Sequence, residues 1–389
     1  MDAVDQIETL FGPGPFPHFQ RSLGLLRPVG RNILPRVLTS VVIGWLPLVV
    51  LVAVAGHDRW NSLLSFAGDL GTHARSLIAA PLFILCEVAC LKRLAAIVHQ
   101  FPRSGVIRSG DQAAFNALVT SNRSLINATI PELVAIIAAY GIAISLIRYL
   151  PNLPGRPWLL NGGDTVALSL AGWWYSLVSL PLLLILLFGW LWRVVLWSRF
   201  LLRLAAMKLR LIAAHPDRAS GLKFLNSSLV AFTPLGFTFG VIAAGAEANQ
   251  VAYKNASMDD LQTTVFGLIV FVLLLFVGPL LVFIFKLHGQ KVEGIFTYGT
   301  LADRVGYQFE EKWLRNYDEH GGEALAASDF SATTDLYSIV GNVHNMKLFP
   351  FELRAVLSLV AITLLPFIPV VAMMMPLRLI VKEVARLLI

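Results

Sequence analysis

Residues 173–192 read WWYSLVSLPLLLILLFGWLW, twenty positions without one charged side chain. A helix of this length rises about 30 Å, which is the thickness of the hydrocarbon core of a bilayer. Tryptophan at both ends is typical of a spanning helix, because indole rings prefer the two membrane interfaces. This stretch therefore predicts an integral membrane protein.

The composition of the whole chain indicates the same class. Of the 389 residues, 56% are hydrophobic and only 14% are charged, and the mean hydropathy is +0.69. Soluble domains are about one quarter charged, so a soluble globular protein is excluded. Two cysteines are too few for a disulfide scaffold, and no zinc-ribbon spacing occurs.

Six further apolar stretches predict spans, because lipid offers no hydrogen-bond partner to irregular backbone. The shortest has only fifteen residues and must borrow flanking residues to cross the bilayer. We therefore predict an all-α fold, a polytopic membrane helical bundle with about seven spans. In chain order, the predicted spans are 37–55, 77–91, 132–150, 173–192, 229–246, 264–285 and 355–377.

The distribution of Lys and Arg predicts the orientation, because cytoplasmic connections retain basic residues. Twenty-three of the 31 basic residues lie before the first span or in the connections 2–3, 4–5 and 6–7. The N-terminus is therefore expected in the cytoplasm, with the lipid bilayer as partner. Topology accounts for the net charge of +7, so no nucleic-acid partner is predicted.

Span 7 leaves two topologies open. Seven complete crossings place the C-terminus outside, although the tail after this span carries three basic residues. Alternatively, Pro366, Pro369 and Pro376 break the span into a re-entrant pair, which would return the tail to the cytoplasm.

The predicted spans divide the chain into four segments. The first lacks the basic start of a cleavable signal peptide, and the third is patterned as helices outside the membrane. The segments are a cytoplasmic N-terminal segment (1–36), spans 1 to 6 with helical connections (37–286), a cytoplasmic helical hairpin (287–354), and span 7 with the tail (355–389).

The hairpin is predicted from periodicity. Apolar residues recur every three or four positions over 292–313, which indicates an amphipathic helix. Gly321 and Gly322 break this helix, and Asp329 or Ser331 can cap the helix that returns. No internal sequence repeat is evident among the three inward connections.

Three motifs lie in the second half of the chain: HPDRASGLKFL at 215–225, MKLFPF at 346–351 and LLPFIP at 364–369. They resemble signatures of a widespread group of uncharacterised bacterial polytopic inner-membrane proteins. The resemblance implies a location in a bacterial inner membrane. That group has no agreed function, so the resemblance implies no activity.

The first motif has two interpretations. Pro216 and Asp217 can end one helix and begin the next, and Gly221 allows close packing. Alternatively, His215 and Asp217 bind a metal together with histidines from other connections. A metal site needs three or four ligands and no third follows in sequence, so no metal and no cofactor is predicted. The candidate residues of this motif are His215, Pro216, Asp217, Arg218 and Gly221.

Glu87 is the main candidate within the membrane, because an ionisable residue at membrane depth is costly and often functional. It is followed by Lys92 and Arg93. One interpretation is an interfacial carboxylate paired with a basic neighbour. The other is a carboxylate that faces a hydrated cavity.

Span 5 is unusual in its small and hydroxylated residues. Gly236 and Gly240 allow a neighbouring helix to approach closely, with the alanine-rich span 3 as the expected neighbour. Alternatively, these glycines line a pore or cavity together with Thr233 and Thr238. Near the outer ends of the spans, an ion-pair cluster is predicted from Arg75, Arg148 and Glu247.

No residue set predicts catalysis. The run from Glu310 to Arg315 matches the EExxxR pattern of intramembrane CAAX-processing proteases, but the other elements of those enzymes are missing from the sequence. The first functional hypothesis is a channel or transporter-like protein with a path along spans 2, 3 and 5, and a homo-oligomer is one candidate assembly of it. The alternative is a membrane-anchored assembly or signalling partner that docks a soluble cytoplasmic protein.

Overall fold

A computed structural model describes residues 33–54, 59–149, 157–161, 167–254, 256–315 and 328–374. Within these residues the chain is helical, and extended backbone pairs at two isolated bridges, Ile107–Leu209 and Leu160–Leu168. Seven helical segments are long and apolar enough to cross a membrane. The predicted all-α polytopic bundle is therefore confirmed, and the chain is an integral membrane protein in contact with lipid.

The seven spans are numbered in chain order. Their bounds are Ile33–Val54, Leu70–Arg103, Thr129–Ile147, Leu170–Ala206, Lys223–Lys254, Met258–Phe276 and Leu353–Met374. Outside the spans, the longer helices are Arg59–Ala67, Gln112–Ile126, Ile284–Glu310 and Asp329–His344. We use "inner end" for the end of the bundle at which spans 1, 3, 5 and 7 begin, in agreement with the predicted orientation.

Two spans differ in extent from the prediction. Span 2 was expected to be the shortest, yet it has 34 residues, because the helix continues through Lys92 and Arg93 beyond the apolar stretch. Span 6 ends at Phe276, because Gly278–Phe283 forms a 3₁₀ helix with Pro279 at its start. Proline has no N–H group to donate to the hydrogen bonds of an α-helix, which favours a change from α-helix to 3₁₀ helix.

Spans 2 and 4 share a construction that is not evident as a sequence repeat. Asp69 and Ser169 each accept a hydrogen bond from a backbone N–H group at the start of the span. Each span then makes a π-helical turn just before a proline, Pro81 or Pro181. The wider turn accommodates the missing N–H group of that proline. The two π-helical turns are Ala74–Ala79 and Tyr175–Ser179.

Span 5 lies at the centre of the described bundle, between spans 2 and 7. Spans 3 and 5 were expected to be neighbours, but span 3 packs mainly on span 4. There Ala135 and Ala139 of span 3 contact Ile185. Alanine and glycine stripes indicate close approach of a helix without specifying which helix approaches.

Span 7 follows span 5 over its described length. Thr363 lies against Gly236 and Gly240, and Val370 packs in one cluster with Ala244 and Ala248 farther along span 5. The sequence near Pro366 forms only a 3₁₀ turn, Leu365–Phe367, after which the helix resumes. Through Met374 this geometry is that of a crossing helix rather than a re-entrant pair; Pro376 and the basic tail lie outside the described residues.

The predicted hairpin is present as two helices in contact, Ile284–Glu310 and Asp329–His344. A π-helical turn, Glu311–Arg315, extends the first helix, and Gly321 and Gly322 lie outside the described residues. Asp329 or Ser331 was expected to cap the second helix. Instead, Ser328 occupies the cap position without a side-chain hydrogen bond, and Asp329 Oδ2 lies 2.6 Å from Lys312 Nζ.

The contact between spans 5 and 7 predicts the effect of one methyl group. A Cβ atom added to Gly240 would lie 1.9 Å from the carbonyl oxygen of Thr363, whereas one added to Gly299 in the hairpin meets no atom within 4 Å. We expect Gly240→Ala to lower the melting temperature in detergent, because overpacking costs about 1–3 kcal/mol. Gly299→Ala, the matched control, should be neutral or stabilising. Equal melting temperatures of the two variants would contradict the packing.

The path of span 7 also predicts the topology of the termini. With the predicted orientation, reporter fusions after Phe285 should give a cytoplasmic signal, and a fusion at Ile389 should report the opposite side of the membrane. A cytoplasmic signal from the fusion at Ile389 would support the re-entrant alternative.

Candidate functional site

A charged cluster lies inside the inner end of the bundle, centred on Glu87 of span 2. Its side chain is 5% exposed. Oε2 lies 2.8 Å from Nη2 of Arg36 in span 1, and Oε1 lies 3.5 Å from Nη1 of Arg193 in span 4. One carboxylate therefore contacts two arginines from two other spans. This is the geometry of the paired interpretation, although the partners are not Lys92 or Arg93.

The surroundings of the cluster hold its members in place. The Arg193 side chain is 2% exposed, and its guanidinium carbon lies 5.1 Å from the centroid of the Trp190 ring. Trp190 Nε1 donates a hydrogen bond of 2.8 Å to the carbonyl oxygen of Phe83 in span 2. Six residues after Glu87, Arg93 Nη1 donates to the carbonyl oxygen of Val230 in span 5, at 3.1 Å.

Charge balance explains what the cluster can do. Among the described residues it brings two arginines and one carboxylate together. An ion removed from water loses several kcal/mol of hydration, which a partner at ion-pair distance can restore. Separation of span 1 or span 4 from span 2 would therefore leave a charge in a poorly hydrated place. The cluster can act as a link among three spans.

The other residues predicted to line a pore are closely packed. Gly236 and Gly240 face span 7, as described above. Thr238 is fully buried, donates to the carbonyl oxygen of Pro234 at 2.9 Å and lies 3.9 Å from the Cys86 sulfur. Thr233 Oγ1 donates to the carbonyl oxygen of Leu229 at 3.0 Å. These contacts satisfy the hydroxyl donors within the protein.

The residues of the predicted outer cluster lie near the other end of the bundle. Arg75 is in the π-helical turn of span 2, and Arg148 is an exposed residue that follows span 3. Glu247 of span 5 is 3% exposed, and its Oε1 accepts hydrogen bonds from Thr264 at 2.7 Å and from Gln250 at 3.4 Å. The hydrogen-bond partners of Glu247 are thus uncharged side chains.

A buried polar pair that the sequence did not predict lies nearby. Asp69 is fully buried and accepts a 2.7 Å hydrogen bond from the Asn249 amide, whose oxygen accepts the N–H of Gly71 at 3.1 Å. This pair ties the outer start of span 2 to span 5. Asp69 lies ahead of the predicted span, so its burial had no clear signal in the sequence.

Beyond the inner end of spans 4 and 5, Asp217 organises the first motif. Its Oδ1 accepts the backbone N–H groups of Ala219 at 2.8 Å and Gly221 at 3.1 Å, and its Oδ2 accepts that of Lys223 at 3.1 Å. His215 Nδ1 lies 2.8 Å from Asp217 Oδ1. Burial alone would raise the pKa of Asp217, but these N–H donors and His215 hold its pKa below the ordinary value.

This motif is a strained loop rather than a simple helix boundary. Arg218 and Ser220 have φ angles of +58° and +55°, which side chains with a Cβ atom adopt at a cost, and Gly221 has a φ of +90°. The carboxylate of Asp217 holds this backbone shape. Because the pKa of Asp217 is lowered on folding, its stabilisation is complete at neutral pH and is lost only as the pH falls through the lowered value.

The first and second motifs are in contact. The carbonyl oxygen of Arg218 accepts the N–H of Lys347 at 2.8 Å, and Ser220 Oγ donates to the sulfur of Met346 at 3.3 Å. In the hairpin, Lys291 Nζ donates to the carbonyl oxygen of Met346 at 2.8 Å. These hydrogen bonds therefore join connection 4–5 to the second motif and the first hairpin helix, both of which belong to connection 6–7.

Within the described ranges, no group of three or more His, Cys, Asp or Glu side chains is arranged to hold a metal ion. Comparisons of the chain with protein-family models, with curated proteins and with solved structures gave no match.

The charged cluster predicts a large effect of Glu87→Gln, which preserves shape but removes the negative charge. Breaking a buried ion pair typically costs roughly 3–5 kcal/mol, because the remaining partner keeps its charge in a poorly hydrated place. We expect a lower melting temperature in detergent and a lower yield. The matched control is Glu293→Gln on an exposed part of the hairpin, which should melt like the native protein. A native melting temperature for Glu87→Gln would show that the pair does not stabilise the bundle.

Proposed function

We propose that this multi-pass protein lies in a bacterial inner membrane and docks a soluble cytoplasmic protein through the hairpin of Ile284–Glu310 and Asp329–His344. The observation that carries the proposal is an exposed apolar face on the first hairpin helix. The tight packing at Gly236 and Gly240 and the pairing of Glu87 make docking a better account of the geometry than a path along spans 2, 3 and 5.

The hairpin face consists of Val292, Phe296, Tyr307 and Leu314. These residues are exposed by 40%, 72%, 72% and 70% respectively. Their spacings of four, eleven and seven residues fall on one side of an α-helix. Between Phe296 and Tyr307, Gly299 has open space beside it. Contiguous exposed apolar surface on a helix outside the membrane typically marks a binding site.

Contact with a protein explains the hairpin face better than contact with lipid. The first hairpin helix is not among the segments apolar enough to span a membrane. Residues 292–315 carry four acidic and three basic side chains. Helices that lie on the anionic inner surface of a membrane are usually rich in Lys and Arg, so this charge pattern favours a protein partner.

The hairpin is fixed to the rest of the protein, so its face is presented in a defined orientation. A Cβ atom added to Gly294 would lie 2.5 Å from Ala213 Cβ and 3.0 Å from a methyl group of Val343. At the far end, Trp313 and Phe330 have ring centroids 5.1 Å apart. A preorganised face loses little conformational entropy on binding.

Transport of small anions is the second candidate, and the charged cluster is the observation that favours it. Arg36 and Arg193 place two guanidinium groups near the inner end of the bundle, where they would attract anions from the inner side. In proteoliposomes, we expect such a function to give uptake of chloride or phosphate above that of empty vesicles. Uptake equal to that of empty vesicles, with folded protein, would exclude this candidate for those ions.

Site-specific photo-cross-linking tests the docking proposal. With a photoreactive phenylalanine analogue at Phe296 or Tyr307, we expect in cells one discrete adduct with a soluble protein at both positions. The same analogue at Gln308, an exposed residue of the same helix outside the hairpin face, should give no such adduct.

Leu314→Glu should abolish the adduct at Phe296, because a charge within the hairpin face opposes burial. Adducts only with lipid would assign the face to the membrane surface. Adducts only with a second copy of the chain would make it an interface between protomers. Either result would contradict docking of a soluble protein.

A further inference from the structure

A polar cavity of about 430 Å³ opens beside the first motif. It lies between the inner end of span 2 and the start of span 5. Its size falls within the range of small-molecule sites. The polar side chains that line it are Gln100, Ser104, His215, Asp217, Lys223, Asn226 and Ser227.

The hydrogen bonds already made around the cavity leave mainly donors for a ligand. Both carboxylate oxygens of Asp217 accept backbone N–H groups, as described above. The Asn226 side-chain oxygen accepts the N–H of Glu352 at 2.9 Å, which leaves the amide N–H₂ group of Asn226 as a donor. Lys223 and Gln100 add an ammonium group and an amide group. A lining of this kind matches an anion.

The position of the His215 ring is fixed by its neighbours. Nδ1 lies 2.8 Å from Asp217 Oδ1, and the Cδ2–Nε2 edge faces Gly221, where a Cβ atom would lie 3.8–3.9 Å away. Nδ1 also accepts the backbone N–H of Asp217 at 3.2 Å, so Nε2 is the ring atom that can donate a hydrogen bond to a ligand.

Lys223 is the cation of the lining, and its side chain is held at the rim. Its Nζ lies 2.6 Å from Glu352 Oε1, and both side chains are partly exposed. An exposed pair of this kind contributes little stability, so an anion with several oxygens can compete with Glu352 for the ammonium group.

We propose that the cavity lined by Gln100, His215, Lys223 and Asn226 binds a phosphate group of a small molecule or of a lipid headgroup. The site is separate from the hairpin face. The several oxygens of a phosphate accept hydrogen bonds, and at neutral pH a phosphate does not need an acceptor on the protein. Both properties fit the donor-rich lining. The loop strained at Arg218 and Ser220 holds the donors in position before binding.

The test uses the full chain in detergent, with inorganic phosphate as the probe and melting temperature as the readout. Binding to the folded state raises the melting temperature with ligand concentration. We expect phosphate to raise it more than potassium chloride at equal ionic strength. Calorimetric titration of the same protein should give one phosphate per chain.

Gln100→Glu places a negative charge in the cavity without a change of shape at an exposed position. We expect it to weaken phosphate binding about tenfold or more. Gln308→Glu, the same change on the hairpin, should leave binding unchanged. Phosphate without effect beyond chloride, or equal binding by native protein and Gln100→Glu, would overturn the proposal.

Lipid nanodiscs distinguish the two sources of phosphate. If nanodiscs that contain phosphatidic acid suppress phosphate binding relative to phosphatidylcholine nanodiscs, the cavity takes a lipid headgroup. If binding is equal in both, the phosphate belongs to a soluble molecule. Both results support the cavity as the phosphate site.

Discussion

The contact of Glu87 with Arg36 and Arg193 is the constraint on which the arrangement of spans 1, 2 and 4 depends. Helices in a bilayer gain little from the hydrophobic effect when they associate, because lipid is as apolar as their side chains. Polar contacts and close packing must therefore determine which spans become neighbours. One carboxylate between two guanidinium groups favours the arrangement in which spans 1, 2 and 4 meet at the inner end.

Contacts of different kinds hold the rest of the bundle. Span 7 lies on span 5 through backbone approach at Gly236 and Gly240, and the outer end of span 2 is held by the buried pair of Asp69 and Asn249. Outside the membrane, the loop around Asp217 in connection 4–5 contacts the second motif in connection 6–7, which in turn contacts the first hairpin helix. The hairpin face and the polar cavity therefore belong to a helical bundle whose spans are held together by a small number of specific contacts.

The number and class of the spans could be predicted because lipid imposes a length and an apolar composition on each helix. The partners could not be predicted. In the sequence, Arg36 is one of several basic residues before the predicted span 1. No sequence pattern predicts that it forms an ion pair with Glu87. The glycine face of span 5 indicates a close neighbour, but spans 3 and 7 both offer small residues. The positive φ angles of Arg218 and Ser220 have no sequence signal, because residues with a Cβ atom rarely adopt them.

A double-mutant cycle between Glu87 and Arg193 tests the central claim most directly. The free energy of unfolding would be measured in one detergent for Glu87→Gln, Arg193→Gln and the double variant. If the two side chains form one buried unit, the double variant loses less stability than the sum of the single variants, with a coupling of at least about 1 kcal/mol. Additive losses would show that the two charges act independently and that the cluster does not link spans 2 and 4.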